Sequence, residues 1–198
     1  VVDEHDYFAE IYNMAILPYA GLYLGFATVF NPIGAIPPPA TNFTRINQVE
    51  MAVSRDLASG FARVADRAIV LGVEPYDGVA MDTNQLLPSG PPVLRPDGEV
   101  WFYYSAARFG GMSAADHRKY DGARELFRLG VRPSDFEKNS ALCLAKLRPD
   151  GFVSLDAEMQ GTLVTRPFLW PHGKKLMLNV DASWGEVYAE VVDVETAV

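Results

Sequence analysis

The chain has 198 residues, of which 49% are hydrophobic and 21% are charged, and its formal net charge is −8 at pH 7. This composition predicts one or two folded domains with a substantial core and excludes a disordered chain. The acidic balance and the lack of Lys and Arg clusters argue against nucleic acid and anionic membranes as partners, because both bind basic surfaces.

The first predicted element is a β-hairpin. Its strands run from Glu10 to Leu17 and from Leu22 to Phe30, and a Pro-x-x-Gly turn separates them. A membrane helix is disfavoured over Met14 to Phe30, because this run is shorter than the ~20 apolar residues that a span needs. Pro and Gly also interrupt it, so a hairpin is the better interpretation.

Further strands are predicted in the middle of the chain. A proline-rich loop from Asn31 to Asn42 is followed by Gln48 to Ser54 (QVEMAVS), where polar and apolar residues alternate. A return strand begins at Phe61, and Ala68 to Val73 is another short apolar run. The strongest strand is Gly98 to Ala106 (GEVWFYYSA), which follows a Pro-Asp-Gly turn.

One segment favours a helix, and the remainder of the chain favours strands. The helix is predicted over 113–129, with Ser113 as its N-cap and Gly130 as its stop, and is interpreted as an insertion in an all-β protein. Ala141 to Lys146 and Phe152 to Leu155 flank an Arg-Pro-Asp-Gly turn. From Gly161 onward the spacing predicts longer strands, so we place a domain boundary near residue 158.

Three stretches resemble a known family of carbohydrate-active proteins. These are VEMAVSRDLASGFARV, the pair GVEPYDGVAMDTNQLL and EVWFYYSA, and the final run ALCLAKLRPDGFVSLDAEMQGTLVTRPFLW with LMLNVDASWGEVYAEVVD. They are similar to blade sequences, and to the passage from the last blade into a β-sandwich, in the five-bladed glycoside hydrolases of families thirty-two and forty-three. Leu57 and Phe61 stand where the blade pattern has glycine and tryptophan.

The resemblance implies an all-β fold with partial β-propeller blades over 1–158, including the helical insertion, and the start of a β-sandwich over 159–198. In the enzymes that it resembles, three carboxylates are spread around a central funnel, and the base or nucleophile lies in the first blade. No such first-blade element is found in this sequence. Because a partial propeller leaves sheet edges exposed, we expect a piece of a larger protein, or another chain that completes the propeller.

The catalytic candidates are carboxylates, since glycosidic cleavage needs an acid and a base or nucleophile. The resemblance places Asp77 and Asp82, in YDGVAMD, at the funnel side of an innermost strand. The alternative for both is a turn role, because Asp-Gly is a common turn dipeptide. Glu50, within QVEMAVS, is the candidate acid, and its alternative is a solvent-facing strand position.

The substrate-binding candidates are cationic and aromatic. Arg108 suits a carboxylate or a sugar diol, and its alternative is a structural salt bridge or a turn-capping contact. Trp101 and Tyr103 share one strand face, where they can stack on a sugar ring or fill a core. His5 and Asp6 lie in an acidic cluster near the first residue, where they can bind a divalent ion or meet a sugar hydroxyl, and their alternative is a frayed, solvated segment.

Other chemistries have no support in the sequence. Cys143 is the sole cysteine, and no His-x-x-x-His or Glu-x-x-His spacing occurs, so a zinc hydrolase is disfavoured. Neither a P-loop, a dinucleotide fingerprint nor a nucleophile elbow is found, and no metal or other cofactor is predicted.

Two functions are therefore expected, and they share carbohydrate as the partner. The first is glycoside hydrolysis, with Asp77 and Glu50 as the carboxylates that this chain supplies. The second is a non-catalytic carbohydrate-binding or structural part, in which Trp101, Tyr103 and Trp184 stack on sugar or pack. The sequence assigns no compartment, sugar or linkage.

Overall fold

A computed structural model of the protein describes residues 9–30, 46–109 and 130–193. These residues form nine strands in two antiparallel sheets, with only short 3₁₀ helices beside them, which confirms the predicted all-β class. The sheets do not close into a barrel or propeller within the described part. None of the helices in these ranges is long and apolar enough to cross a membrane.

The first sheet, sheet A, begins with the predicted hairpin. Strand β1 (Glu10–Tyr19) pairs with β2 (Leu22–Phe30), and β2 pairs with β3 (Asn47–Ser54). The far edge of β3 holds two short strands, β4 (Ala62–Arg63) and β5 (Ile69–Leu71). Because β2 is covered on both faces, its middle residues are nearly all buried.

The hairpin turn is tighter than the sequence suggests. Tyr19 pairs with Leu22, so Ala20 and Gly21 alone form the turn, with φ values of 47° and 77°. Two consecutive left-handed residues give the twist that joins antiparallel strands best, and Gly21 adopts this conformation without a steric penalty. Pro18 therefore lies within β1, an edge strand of the sheet among the described residues, where a missing N–H is tolerated.

The second sheet, sheet B, is built around β8 (Val100–Ala107). Strand β9 (Ser140–Leu147) pairs with the whole length of β8. Strands β6 (Gln85–Pro88) and β7 (Val93–Leu94) therefore share the opposite edge of β8. Alternate residues of β8 are buried, as the period of two predicts.

The core lies where the two sheets contact each other. Phe26 of sheet A and Phe102 of sheet B pack edge to face, with ring centroids 4.9 Å apart. Such an aromatic pair contributes about 1 kcal/mol beyond the apolar area that it buries. The buried cluster that joins the sheets consists of Leu17, Leu24, Phe26, Val49, Met51, Val100 and Phe102.

The turn after β9 folds back onto the hairpin instead of starting another strand. The Tyr19 hydroxyl donates a hydrogen bond of 2.6 Å to Asp150, and the Phe152 ring packs 5.0 Å from the Tyr19 ring. Phe152 also lies against Phe26. The strand predicted from Phe152 to Leu155 was wrong, because these residues form no strand and Phe152 packs against the core from the turn.

The chain divides into two compact units between Phe152 and Val153. In the second unit the described residues, 153–193, form no strand, and most of their apolar side chains are exposed. The strands predicted from Gly161 onward are thus not formed there. A strand needs a neighbour to satisfy its backbone groups, and no two strands pair with each other among residues 153–193. The predicted assignment of 159–198 to a β-sandwich stays a prediction.

Some predicted features fall outside the described residues. They are the helix over 113–129, the proline-rich loop from Asn31 to Asn42, and His5 with Asp6. The propeller-like organisation of 1–158 likewise stays a prediction.

Candidate functional site

Asp77 lies in an exposed turn that precedes β6. Its Oδ1 accepts hydrogen bonds from the backbone N–H groups of Val79 and Ala80, each at 2.7 Å. Gly78 has a φ of 84°, a left-handed conformation that an L side chain would strain. The side chain thus organises its own turn, and we call residues 76–80 the Asp77 turn.

These hydrogen bonds also fix the charge of Asp77. The N–H groups of Ala80 and Val79 lower the pKa of the carboxyl, and the positive charge of Arg108 lowers it further. A carboxylate stabilised in this way is ionised at neutral pH and suits a base, a nucleophile or a hydroxyl acceptor. It does not suit a general acid, which must hold a proton before the reaction begins.

Arg108, just beyond β8, binds the Asp77 turn through its guanidinium group. Nε donates to the carbonyl of Ala80 at 2.7 Å, and Nη2 donates to the carbonyls of Val79 and Gly78. The structure therefore brings Arg108 and Asp77 together, as two neighbouring parts of one loop assembly.

An open cleft of about 560 Å³ lies beside this turn, and we call it the Asp77 cleft. Its lining residues are Tyr76, Asp77, Gly78, Gly130, Arg132 and Asp135. On the far wall, Asp135 accepts a 2.7 Å hydrogen bond from the N–H of Arg132 and lies 3.7 Å from its guanidinium group. The cleft thus combines an aromatic ring, two carboxylates and a guanidinium group.

Sequence reasoning did not identify Tyr76, Arg132 or Asp135. Tyr76 is next to Asp77, and its ring packs 5.8 Å from the buried Phe109 ring. The pattern Arg-Pro-Ser-Asp does carry a signal, since Pro at the start of a 3₁₀ helix with Asp two residues later is typical of a capped helix start. That signal predicts local structure and says nothing of a cleft.

Asp82 is bound within the protein. It accepts a hydrogen bond of 2.7 Å from the hydroxyl of Tyr104, a buried residue of β8. Burial raises the pKa of Tyr104, and the hydrogen bond to Asp82 raises it further, so this hydroxyl remains a donor. Burial together with the charge of Asp82 also raises the pKa of Cys143. Asp82 does not line the Asp77 cleft.

Glu50 is also bound within the protein, on β3. Only 2% of it is exposed, and its carboxylate lies 3.2 Å from Arg67 and 3.4 Å from Arg63. Arg63 lies in β4, which pairs with β3, and Arg67 lies in the short 3₁₀ helix that follows it. The alternative of a solvent-facing position for Glu50 was wrong, because its side chain is buried and pairs with the two guanidinium groups.

Trp101 and Tyr103 lie on the outer face of sheet B, while Tyr104 is buried on the inner face, as alternation predicts. The Trp101 ring has Arg95 at 4.5 Å and Lys146 at 4.6 Å from its centroid, and its N–H donates to Glu99. Neither aromatic residue lines the Asp77 cleft. Trp184, in the second unit, is fully exposed.

No cluster of three or more His, Cys, Asp or Glu side chains suited to a metal ion exists in the ranges 9–30, 46–109 and 130–193. Comparison with known proteins found no match to this chain among family models, curated proteins or solved structures.

Proposed function

We propose that this chain is part of a carbohydrate-active protein of the glycoside hydrolase type, and that the Asp77 cleft is where it binds the sugar. The observation that carries the proposal is the state of Asp77. Its carboxylate is exposed, its pKa is lowered so that it is ionised at neutral pH, and two backbone N–H groups orient it through Oδ1, while no hydrogen bond to Oδ2 is found among the described residues. Oδ2 is thus available for a substrate hydroxyl or for chemistry.

The other side chains of the cleft support the same ligand class. Carboxylates and guanidinium groups bind the hydroxyls of a sugar, and a tyrosine ring stacks on its apolar face. Tyr76, Arg132 and Asp135 supply these three functions around one opening. Because Arg132 is paired with Asp135, the net charge of the cleft is negative, and we expect a neutral glycan in preference to an acidic one.

In hydrolysis, Asp77 would act as the base or the nucleophile. Glycosidases pair such a carboxylate with a protonated one about 5 to 9.5 Å away. Glu50 is bound by two arginines, Asp82 by Tyr104 and Asp135, the other carboxylate of the cleft, by Arg132, so none of the three is free to serve as that acid. The proposal therefore takes the acid from outside the described residues or from another chain.

A second candidate function is carbohydrate binding without hydrolysis. The observation that favours it is the engagement of Glu50 and Asp82 with protein partners. In that case Asp77 serves only as an acceptor for sugar hydroxyls. Both candidates use the same cleft, so one pair of variants tests them together.

The test compares Asp77→Asn with Asp56→Asn. Asp56 is a matched control, because its Oδ1 also accepts N–H groups two and three residues later, at Ala58 and Ser59. Asp56 does not line the Asp77 cleft. The measurements are binding to a panel of neutral oligosaccharides by calorimetry and hydrolysis of aryl glycosides.

For hydrolysis, we expect Asp77→Asn to lower turnover by about a hundredfold or more, while Asp56→Asn leaves it unchanged. For binding alone, we expect no turnover in any variant and an affinity about tenfold weaker in Asp77→Asn only. If neutral sugars bind neither the native chain nor any variant, or if both variants behave alike, the proposal is wrong.

A further inference from the structure

The guanidinium group of Arg108 hydrogen-bonds to the backbone of the Asp77 turn. It donates to three consecutive carbonyl groups, those of Gly78, Val79 and Ala80. The N–H groups of Val79 and Ala80 point to Asp77 from the other side of the same peptide units. The N–H groups of the turn are therefore bonded to a carboxylate, and its carbonyl groups are bonded to a guanidinium group.

The backbone of Arg108 is also held by hydrogen bonds. Its N–H donates to the carbonyl of Asn139 at 2.9 Å, and its carbonyl accepts from the hydroxyl of Thr83 at 3.0 Å. The N–H of Phe109 donates to the side chain of Asn139, also at 2.9 Å. The backbone of Arg108 is thus fixed at the end of β8, and its side chain links the turn to that fixed backbone.

Phe109 extends the same contact to the wall of the cleft. Its ring is buried and lies 5.8 Å from the ring of Tyr76, the residue before Asp77. Adjacent residues at the end of β8 therefore fix both Tyr76 and the turn that follows it. Three lining residues of the cleft, Tyr76, Asp77 and Gly78, thus belong to a turn that is contacted from the end of β8.

We propose that Arg108 is a positioning residue, which sets the place of the Asp77 carboxylate in the cleft by holding the backbone of the Asp77 turn and does not itself bind the sugar. This role rests on the proposed function of the cleft. A planar fork with several donors reaches three carbonyls, whereas a lysine ammonium is a compact point charge and cannot span them. The substitution Arg108→Lys therefore separates geometry from charge.

The test uses Arg108→Lys and Arg108→Gln, with Arg95→Gln as the matched control. Arg95 lies near the other end of β8 and contacts Trp101. The readouts are the pKa of the Asp77 carboxyl by NMR titration and the hydrogen exchange of the Val79 and Ala80 amides. We expect both Arg108 variants to raise that pKa and to speed exchange by about tenfold or more, and Arg95→Gln to change neither.

A second measurement needs no variant. In the native protein, we expect the Nε–H signal of Arg108 to exchange slowly with solvent, because it is bonded to the Ala80 carbonyl. Rapid exchange of this proton would overturn the proposal even if the variants fail to fold.

Neither readout requires a glycan, so the proposal on Arg108 can fail or hold independently of the proposed function. If Arg108→Lys weakens only the affinity for sugar, with an unchanged Asp77 pKa and unchanged amide exchange, Arg108 is a direct ligand and the positioning role is wrong. If the pKa and the exchange rates change while no sugar binds the native chain, the positioning role stands and the proposed function fails.

Discussion

Glu50 and Asp77 are carboxylates with the same charge in opposite surroundings. Glu50 lies on the central strand of sheet A, buried, with two guanidinium groups against it. Asp77 lies in an exposed turn and is held by two backbone N–H groups on one oxygen. One carboxylate is neutralised by side chains from another segment, and the other is oriented by its own loop.

This difference shows how partners decide what a carboxylate does. Charge pairing on both oxygens of Glu50 uses its acceptor capacity and makes it part of the fold. Hydrogen bonding to one oxygen of Asp77 keeps it charged while leaving the other oxygen unoccupied by any described residue. Removal of Glu50 should therefore affect stability, whereas removal of Asp77 should affect ligand binding.

The largest effect on stability is expected for Glu50→Ala. This change leaves Arg63 and Arg67 facing each other without their counter-charge, so we expect the free energy of unfolding to fall by about 3 kcal/mol. Urea denaturation measures it. Glu74→Ala, at an exposed glutamate, is the control and should stay within about 0.5 kcal/mol. If Glu50→Ala and Glu74→Ala lower the free energy of unfolding equally, the structural role that distinguishes Glu50 from Asp77 is contradicted.

A smaller effect is expected for Tyr104→Phe, which tests whether Asp82 resembles Glu50 or Asp77. The change removes the hydroxyl that donates to Asp82, so the free energy of unfolding should fall by about 1 kcal/mol. Tyr103→Phe, on the exposed face of the same strand, is the matched control. A change in sugar binding without a loss of stability would instead place Asp82 with Asp77.

The smallest expected effect is a loss of stability at low pH. Hydrogen bonds lower the pKa of both Asp56 and Asp77. Their contribution to stability is therefore present above the unfolded pKa, near 3.9, and is lost as the pH falls through the lower folded value. Urea midpoints of the native chain and Asp77→Asn should converge as the pH falls below about 4. A difference that widens in acid would contradict this sign.

The strands of the two sheets could largely be predicted from sequence pattern. Alternation of polar and apolar residues predicted β3, the run after a Pro-Asp-Gly turn predicted β8, and turn residues with apolar flanks predicted the β1–β2 hairpin. Local sequence carries these signals because side chains alternate on a strand with a period of two. Local sequence does not predict the position of Phe152, because its contacts with Tyr19 and Phe26 join segments that are far apart in the chain.

The candidate site was predictable only in part, for the same reason. Asp77 was a candidate because the family resemblance placed it beside a funnel, and Arg108 because it is a cationic residue that follows a predicted strand. The hydrogen bonds of Arg108 to three carbonyls were not, because they join segments about 30 residues apart. Glu50 was a candidate as a carboxylate in a strand, yet its partners Arg63 and Arg67 come from the next segment, whose return to β3 the sequence does not show.

That segment carries a further consequence. Ala65, Asp66 and Arg67 have φ values of 53°, 49° and 65°, and none of them is glycine. Left-handed conformations of L residues cost about 1 kcal/mol each. The ion pair of Arg67 with Glu50 thus holds a loop of unfavourable handedness in place. For protein engineering, this makes Ala65 a natural position for glycine, where a more robust variant can be sought without altering the cleft.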